Sequence, residues 1–246
     1  MDDMIKRLNK LSTFIRLKVD SVISRHCLLC LKTGQPSPIC KSCLEDFPLT
    51  ENGCETCGQQ LHHPSDNIQI CGRCLSKPPA YIKSVSAFDY KFPVSSIIRR
   101  LKYQECGYWA KPLAQAIYPE FKQAFGHLHN AVLMPVPMHE SQYFIRRDNH
   151  AHLIAKHLAK YAGLPLQNEV VMKSRHTPRQ AELSARMRRR NVKNSFSLTD
   201  RPPVSPIIII DDVVTTGSTI DAMARQLTKG GATEIYGFSV ARRSLE

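Results

Sequence analysis

The sequence of 246 residues has no long uncharged hydrophobic run. A membrane-spanning helix needs about 18 or more consecutive apolar residues, so we expect no membrane span. Residues 1–25 carry charges throughout and have no small-residue cleavage site, so we do not expect a secretory signal either. These absences predict a cytoplasmic protein.

Acidic residues are scarce, at 21 against 34 lysines and arginines, which gives a formal net charge of +13. The excess lies in residues 81–246, with 24 basic and 13 acidic side chains. Such a charge favours phosphate-bearing partners such as nucleotides or nucleic acid. The GxxxxGK[ST] loop and the GxGxxG turn are both missing, which argues against a P-loop NTPase and a dinucleotide-binding domain.

Cysteine is abundant but confined, because eight of the nine cysteines form four C-x-x-C pairs within residues 27–74. In a chain without an export signal such pairs favour metal over disulfides, and a redox C-x-x-C typically occurs singly. Eight thiolates suit two closed structural Zn²⁺ sites. The candidate ligands are Cys27, Cys30, Cys40, Cys43, Cys54, Cys57, Cys71 and Cys74. Sequential pairing would make two zinc ribbons in tandem, and a cross-braced pairing is the alternative that the spacing leaves open.

Three regions follow from the hydrophobic pattern. Residues 1–25 predict an amphipathic helix packed on the body, with a membrane-surface anchor as the less favoured alternative. Residues 26–80 form the double zinc ribbon, and Pro78 and Pro79 mark its end. In residues 81–246, strands alternate with helices, which predicts an α/β fold with a doubly wound, mostly parallel sheet.

The segment IIIIDDVVTTGSTI, residues 207–220, is the most informative part of the chain. Four isoleucines predict a strand at 207–210 that is buried on both faces. The hydroxyl-rich turn that follows opens a helix predicted over 218–229, and its backbone N–H groups would surround an anion. The alternative is a core strand followed by a helix capped by Ser218 or Thr219. That alternative does not explain the paired acids Asp211 and Asp212, which suit ribose hydroxyls or Mg²⁺.

Residues 207–219 resemble the PRPP-binding motif of type I phosphoribosyltransferases at every position. Cysteine pairs followed by such a domain resemble the ComF/GntX family of competence and DNA-utilisation proteins, and the resemblance extends along the whole chain. Further matching segments are YKFPVSSIIRRLKYQ at 90–104, MPVP at 134–137 and RHTPRQAELSARMRRRNVKNSF at 175–196. One segment departs, since residues 146–151 read RRDNHA where the family usually reads RGFNQA.

The resemblance implies a phosphoribosyltransferase-like domain that binds PRPP with Mg²⁺. It assigns the 5-phosphate to Thr215, Thr216, Gly217, Ser218 and Thr219. It assigns the ribose hydroxyls, and Mg²⁺ with them, to Asp211 and Asp212 as the catalytic acids. Lys102, Arg146 and Arg175 are the candidates for the pyrophosphate.

Three hypotheses of function remain. The first is a phosphoribosyltransferase that displaces pyrophosphate from PRPP onto an unknown acceptor, acting in DNA uptake, natural transformation or the use of DNA as a nutrient. The second is a non-catalytic accessory protein that binds single-stranded DNA and has PRPP as a regulatory ligand, favoured by eight cations against one acid in residues 173–193. The third is a zinc-ribbon scaffold that docks a DNA-uptake helicase or pore protein.

Overall fold

The computed structural model describes residues 26–61, 69–103, 107–139, 141, 148–173 and 195–244. The chain divides into two compact units, Met1–Phe47 and Pro48–Glu246. The predicted helix over residues 1–25 lies outside the described residues. Among the described residues, no helix combines the length and the apolar character that crossing a membrane would require.

The first unit contains one cysteine cluster and one short helix. A C-x-x-C turn at Cys27 and Cys30 is closed by a bridge between His26 and Thr33. The second pair of cysteines frames helix α1, Lys41–Glu45, whose N-cap is Cys40. Four thiols of one sequential block therefore meet in this unit.

The second unit repeats this ribbon and continues into a sheet. A bridge between Gly53 and Gln60 closes the next C-x-x-C turn, and Cys71 is the N-cap of helix α2, Gly72–Ser76. The second ribbon thus belongs to the same compact unit as the α/β domain.

The α/β domain is built on a four-stranded parallel sheet. Its strands are β1 (Lys83–Asp89), β2 (Val132–Pro135), β5 (Ile207–Val214) and β6 (Ile235–Arg242), in the order β1-β6-β5-β2. Two short strands, β3 (Val171–Lys173) and β4 (Phe196–Leu198), pair antiparallel in a separate sheet. The predicted parallel sheet is confirmed.

Helices cover both faces of this sheet. They are α3 (Val94–Tyr103), α4 (Gly107–Phe125), α5 (His150–Ala162) and α6 (Ser218–Lys229). Ile207 and Ile209 of β5 share a buried cluster with Met223 and Leu227 of α6. On the opposite face Phe238 of β6 packs edge-to-face against Phe121 of α4, with ring centroids 5.2 Å apart. Because side chains alternate along a strand, the unbroken run Ile207–Ile210 fills both layers of core at once.

Candidate functional site

The loop between β5 and α6 lies at the carboxyl end of a central strand. Strand β5 continues to Val214, four residues beyond the predicted end, so Asp211 and Asp212 lie within its last half. The loop then consists of Thr215, Thr216 and Gly217, and α6 begins at Ser218 as predicted. Ligands of parallel α/β domains bind at the carboxyl ends of the strands, where the loops to the helices begin.

The N-cap of α6 is Gly217, with φ of 73°, and it has no side chain that could cap the helix. The hydroxyl of Thr216 accepts from the Ser218 N–H at 3.3 Å and donates to Ser218 Oγ at 2.9 Å. The expected alternative, a helix capped by Ser218 or Thr219, is therefore not found. Ser218 is the one residue of the first turn whose N–H has a described side-chain acceptor, so the positive end of the helix keeps amides that are available to an anion.

The loop hydroxyls differ in access. Thr215, Ser218 and Thr219 are half-buried, whereas Thr216 is only 4% exposed. The buried Thr216 hydroxyl holds the shape of the turn. The hydroxyls of Thr215, Ser218 and Thr219 are the ones that remain open to a ligand in the loop.

The carboxylates of Asp211 and Asp212 lie beside the loop, and Lys102 forms an ion pair with Asp212. Lys102 of α3 contacts Asp212, with Nζ 2.9 Å from Oδ2, and the two side chains are 20% and 15% exposed. The pKa of Asp211 is raised to about 7, first because burial removes water from its carboxylate and second because the Asp212 charge is adjacent. The ammonium groups of Lys102 and Lys173 oppose this rise. The site therefore concentrates acids and cations in a poorly solvated space.

Of the three predicted pyrophosphate ligands, the structure places one. Lys102 lies at the acid pair, and Arg146 and Arg175 lie outside the described residues. In the segment that departs from the family pattern, Asn149 caps α5 by accepting from the His152 N–H at 3.3 Å. Its Nδ2 donates to the Val136 carbonyl at 2.9 Å, which ties the start of α5 to the MPVP segment.

Each cysteine cluster has the geometry of a tetrahedral zinc site. A Zn–S bond of about 2.3 Å implies an edge between sulfurs of about 3.8 Å. The Sγ–Sγ distances are 3.8 Å for Cys27–Cys43, 3.7 Å for Cys30–Cys40 and 3.8 Å for Cys57–Cys71. These distances are far too long for disulfides. The donor set is four soft thiolates in each cluster, so the residues fit two structural zinc ions.

The structure decides the pairing that the spacing left open. Within each cluster all four sulfurs lie within 4.8 Å of one another. The clusters are Cys27, Cys30, Cys40 and Cys43 in the first unit, and Cys54, Cys57, Cys71 and Cys74 in the second. The pairing is sequential, and the cross-braced alternative is wrong.

Backbone amides prepare two of the thiols as ligands. Burial acts to raise the pKa of Cys27, but N–H groups of Cys30, Cys40 and Leu29 outweigh it and lower the pKa to about 6. In the second cluster the same competition lowers the pKa of Cys54 to about 7, and its sulfur accepts from the Cys71 N–H at 3.2 Å. Such amides favour the thiolate, the form that binds zinc.

Two arginines that sequence reasoning missed join the second ribbon to the loop. Arg73 Nη1 donates to the Thr216 carbonyl at 2.5 Å, and Arg242 Nη1 donates to the Thr215 carbonyl at 2.9 Å. Arg242 also donates to the carbonyl of Cys57. Two signals were visible in the sequence, since Arg242 is the one charged residue of the strand IYGFSVAR and Arg73 lies between two zinc ligands.

A cavity of about 180 Å³ lies between α2 and α6 on the ribbon side of the loop. Arg73, Lys77 and Arg225 give it positive charge, and Tyr81 and Gly217 contribute to its wall. Burial raises the pKa of the Tyr81 phenol well above its usual range, with the neighbouring Cys57 adding to the shift. The ribbon, the loop and α6 therefore all line this cavity.

Two known domain families match the sequence. The double zinc ribbon domain matches residues 18–75, and the phosphoribosyl transferase domain matches residues 148–243. The first match covers both cysteine clusters, and the second covers the acid pair, the loop and α6.

Similar proteins extend the match along most of the chain. Competence protein F of Haemophilus influenzae is 33% identical over 210 residues, covering 82% of this chain and 88% of that protein. The DNA utilization protein YhgH of Salmonella typhimurium is 32% identical over 207 residues, covering 83% and 90%. A solved purine phosphoribosyltransferase from Pyrococcus horikoshii is 17% identical over 55% of this chain and 83% of its own, with a TM-score of 0.32.

Proposed function

Because the chain belongs to the ComF family of competence and DNA-utilisation proteins, we propose that its α/β domain binds PRPP at the loop between β5 and α6. One observation carries the proposal: the N-terminus of α6, which has glycine at its N-cap, and the acid pair of β5 lie at the same edge of the sheet. PRPP needs both, an anion site for the 5-phosphate and hydrogen-bond acceptors for the ribose hydroxyls.

In this proposal the loop amides and the hydroxyls of Thr215, Ser218 and Thr219 hold the 5-phosphate. Asp211 and Asp212 accept hydrogen bonds from the ribose hydroxyls. Lys102 adjoins the acids and is placed to balance the charge that PRPP brings. Arg146 and Arg175 are the further proposed pyrophosphate ligands. Their cationic groups match phosphate oxygens.

The acid pair also offers the oxygen ligands that Mg²⁺ takes, with the phosphates of the substrate completing its coordination. Bound with PRPP, Mg²⁺ would neutralise charge on the departing pyrophosphate. The protein's own residues position the sugar and exclude water around the reacting carbon.

The reaction we propose is displacement at the ribose C1. The bond from C1 to the pyrophosphate oxygen breaks, the oxygen leaves with its electron pair, and a bond forms from C1 to the acceptor nucleophile. The acceptor supplies the electron pair of the new bond, and its proton passes to the departing pyrophosphate or to solvent. The role in DNA uptake or DNA utilisation is taken from the names of the similar proteins.

The test is calorimetric titration of the zinc-loaded chain with PRPP and Mg²⁺. We expect saturable binding in the wild type and its loss in the double variant Asp211→Asn and Asp212→Asn, because neutral amides replace both carboxylates. Asp200→Asn, at an exposed acid after β4, is the matched control and should bind normally. A folded, zinc-loaded wild type that does not bind PRPP would refute the proposal.

A second ligand, single-stranded DNA, is favoured by the charge of the chain, +13 overall with eight cations against one acid in residues 173–193. In that hypothesis PRPP regulates DNA binding. Fluorescence anisotropy with a labelled oligonucleotide at two salt concentrations tests it, because phosphate contacts weaken as salt rises. Pyrophosphate release with bases, nucleotides or DNA as acceptors separates the catalytic hypothesis from the regulatory one.

A docked helicase or pore protein would be tested by loss of partner capture after deletion of residues 1–80.

A further inference from the structure

The second zinc ribbon reaches the loop that we propose for PRPP through two guanidinium groups. Arg242 is 1% exposed and lies between the ribbon and the loop. It donates to the carbonyl of the zinc ligand Cys57, to Gln59 Oε1 at 3.3 Å and to the Thr215 carbonyl at 2.9 Å. One buried side chain therefore bonds the zinc-binding turn and the loop at once.

Arg73 makes the second connection. It stands in α2 between the zinc ligands Cys71 and Cys74, and its Nη1 donates to the Thr216 carbonyl at 2.5 Å. A Cβ added to Gly217 would lie 3.3 Å from Tyr81 Oη and 3.9 Å from Arg73 Nη2, so glycine lets the loop approach the ribbon closely. Two successive loop carbonyls thus accept hydrogen bonds from two arginines. Arg73 belongs to the ribbon, and Arg242 belongs to β6 and also donates to the ribbon.

Charge links these contacts to the metal. A zinc ion with four thiolates carries a formal charge of −2. Arg73 lies between the ligands Cys71 and Cys74, and Arg242 donates to the carbonyl of the ligand Cys57, so both guanidinium groups adjoin this cluster. When zinc is bound, the negative charge of the cluster attracts the guanidinium groups of Arg73 and Arg242. Without zinc, α2 and the Cys54–Cys57 turn lose the ion that joins them, so the positions of Arg73 and of the Cys57 carbonyl are less restrained.

The first ribbon provides an internal comparison. Its helix α1 has Ser42 between the ligands Cys40 and Cys43, at the place where α2 has Arg73. The two ribbons share the cysteine spacing and the helix start, yet only the second places an arginine there. The arginine is therefore not a requirement of zinc binding itself.

We propose that Arg73 and Arg242 are positioning residues that couple zinc at the second ribbon to the conformation of the PRPP loop. By holding the Thr215 and Thr216 carbonyls, they aim the amides of the loop and of the first turn of α6 toward the 5-phosphate. Zinc at this ribbon favours PRPP binding, and PRPP binding favours retention of this zinc, because coupling between two ligands is reciprocal. The inference rests on the proposed PRPP site.

The first experiment compares Arg73→Met with Arg225→Met in the zinc-loaded full chain. Arg225 lines the same cavity and pairs with Asp221, but no described contact joins it to a loop carbonyl. Both variants lose one positive charge near the loop. We expect PRPP affinity to fall about tenfold in Arg73→Met and less than about twofold in Arg225→Met, because only Arg73 restrains the loop backbone. Arg73→Lys, which keeps the charge, should recover part of the affinity. Equal losses in both methionine variants would overturn the proposal.

The second experiment measures reciprocity. Zinc transfer to a colorimetric chelator is followed with and without PRPP. We expect PRPP to slow the release of one of two zinc ions about tenfold, and Arg73→Met to reduce the effect, because Arg242 still joins the ribbon to the loop. In Cys43→Ser, which loses a ligand of the first site, the PRPP effect on the remaining zinc should persist. A chain that binds PRPP but releases both ions at unchanged rates contradicts the coupling.

A wild-type chain that does not bind PRPP would end the proposed function, and hydrogen exchange would then decide the coupling separately. The peptide covering residues 215–220 should exchange faster in Cys74→Ser and in Arg73→Met than in Cys43→Ser. Equal exchange in all three variants would show that the ribbon does not restrain the loop.

Discussion

Substituting Lys102 by methionine tests the electrostatics of the acid pair. The Lys102 Nζ lies 2.9 Å from Asp212 Oδ2, and both side chains are mostly buried. At an effective dielectric constant of 20 this contact corresponds to about 6 kcal/mol of Coulomb attraction, which the cost of burying the lysine partly offsets. Removing one partner of a buried pair typically costs about 3 kcal/mol. We therefore expect Lys102→Met to lower the free energy of unfolding by about 3 kcal/mol at pH 8.

The loss should depend on pH. The folded-state pKa of Asp211 is about 7, above the ordinary value of 3.8. Between these values the folded carboxyl holds a proton that the unfolded chain has released, so stability falls as pH rises and levels off above pH 7. The lysine ammonium lowers the folded-state pKa of Asp211. Its removal therefore raises that pKa and extends to higher pH the range over which stability falls. In the variant stability should keep falling above pH 7, by up to about 1.4 kcal/mol per pH unit.

The assay is urea unfolding of the zinc-loaded chain in magnesium-free buffer from pH 5 to pH 9. Fluorescence of Trp109 reports on the α/β domain, since it is the chain's single tryptophan and is 7% exposed in α4. Lys91→Met is the matched control: Lys91 Nζ also lies 2.9 Å from an aspartate oxygen, of Asp89, but the lysine is 65% exposed. The control should lose less than about 1 kcal/mol. Parallel pH curves and equal losses in the two variants would refute the reasoning.

Three further outcomes are expected. Gly217→Ala should lower the free energy of unfolding by about 1 kcal/mol, because alanine is strained at φ of 73° and its Cβ would lie 3.3 Å from Tyr81 Oη. Calorimetry of the same variant should show weaker PRPP binding. Phe121→Ala, which removes a ring packed on Phe238, should cost about 3 to 5 kcal/mol in urea unfolding. Elemental analysis should find two zinc ions per chain, and one in a folded Cys74→Ser variant, whereas two ions in that variant would contradict the assignment of the second cluster.

The parts of the fold that sequence predicted well have strong local signals. Helix α6 begins and ends where expected, at Ser218 and Lys229, because its apolar positions repeat at helical spacing after a glycine turn. Strand β4, Phe196–Leu198, escaped prediction because it has three residues and its partner among the described strands is the equally short β3. A segment of that length has no detectable alternation, so only its partner across the sheet defines it.

The candidate site was predictable to the extent that its ligands are contiguous in sequence. The acids, the loop and the helix start all fall within residues 207–220, where one motif contains them. Arg73 and Arg242 are 143 and 27 residues away from the carbonyls they bond, and Lys102 is far from Asp212 in the chain. Contacts of that separation follow from the packing of the unit, which a single sequence does not specify.

The two ribbons show how a sequence difference can be visible and still uninterpretable before packing is known. Leu31, with φ of 62°, follows the C-x-x-C turn that opens the first ribbon, and Gly58, with φ of 69°, follows the C-x-x-C turn that opens the second. Since leucine adopts this conformation in one ribbon, the left-handed backbone alone does not require glycine in the other. A Cβ on Gly58 would lie 3.0 Å from the Ser84 carbonyl of β1 and 3.6 Å from Arg242 Nε, so close approach to the sheet is what excludes a side chain. Glycine at residue 58 is therefore explained by the packing of the second ribbon against the α/β domain.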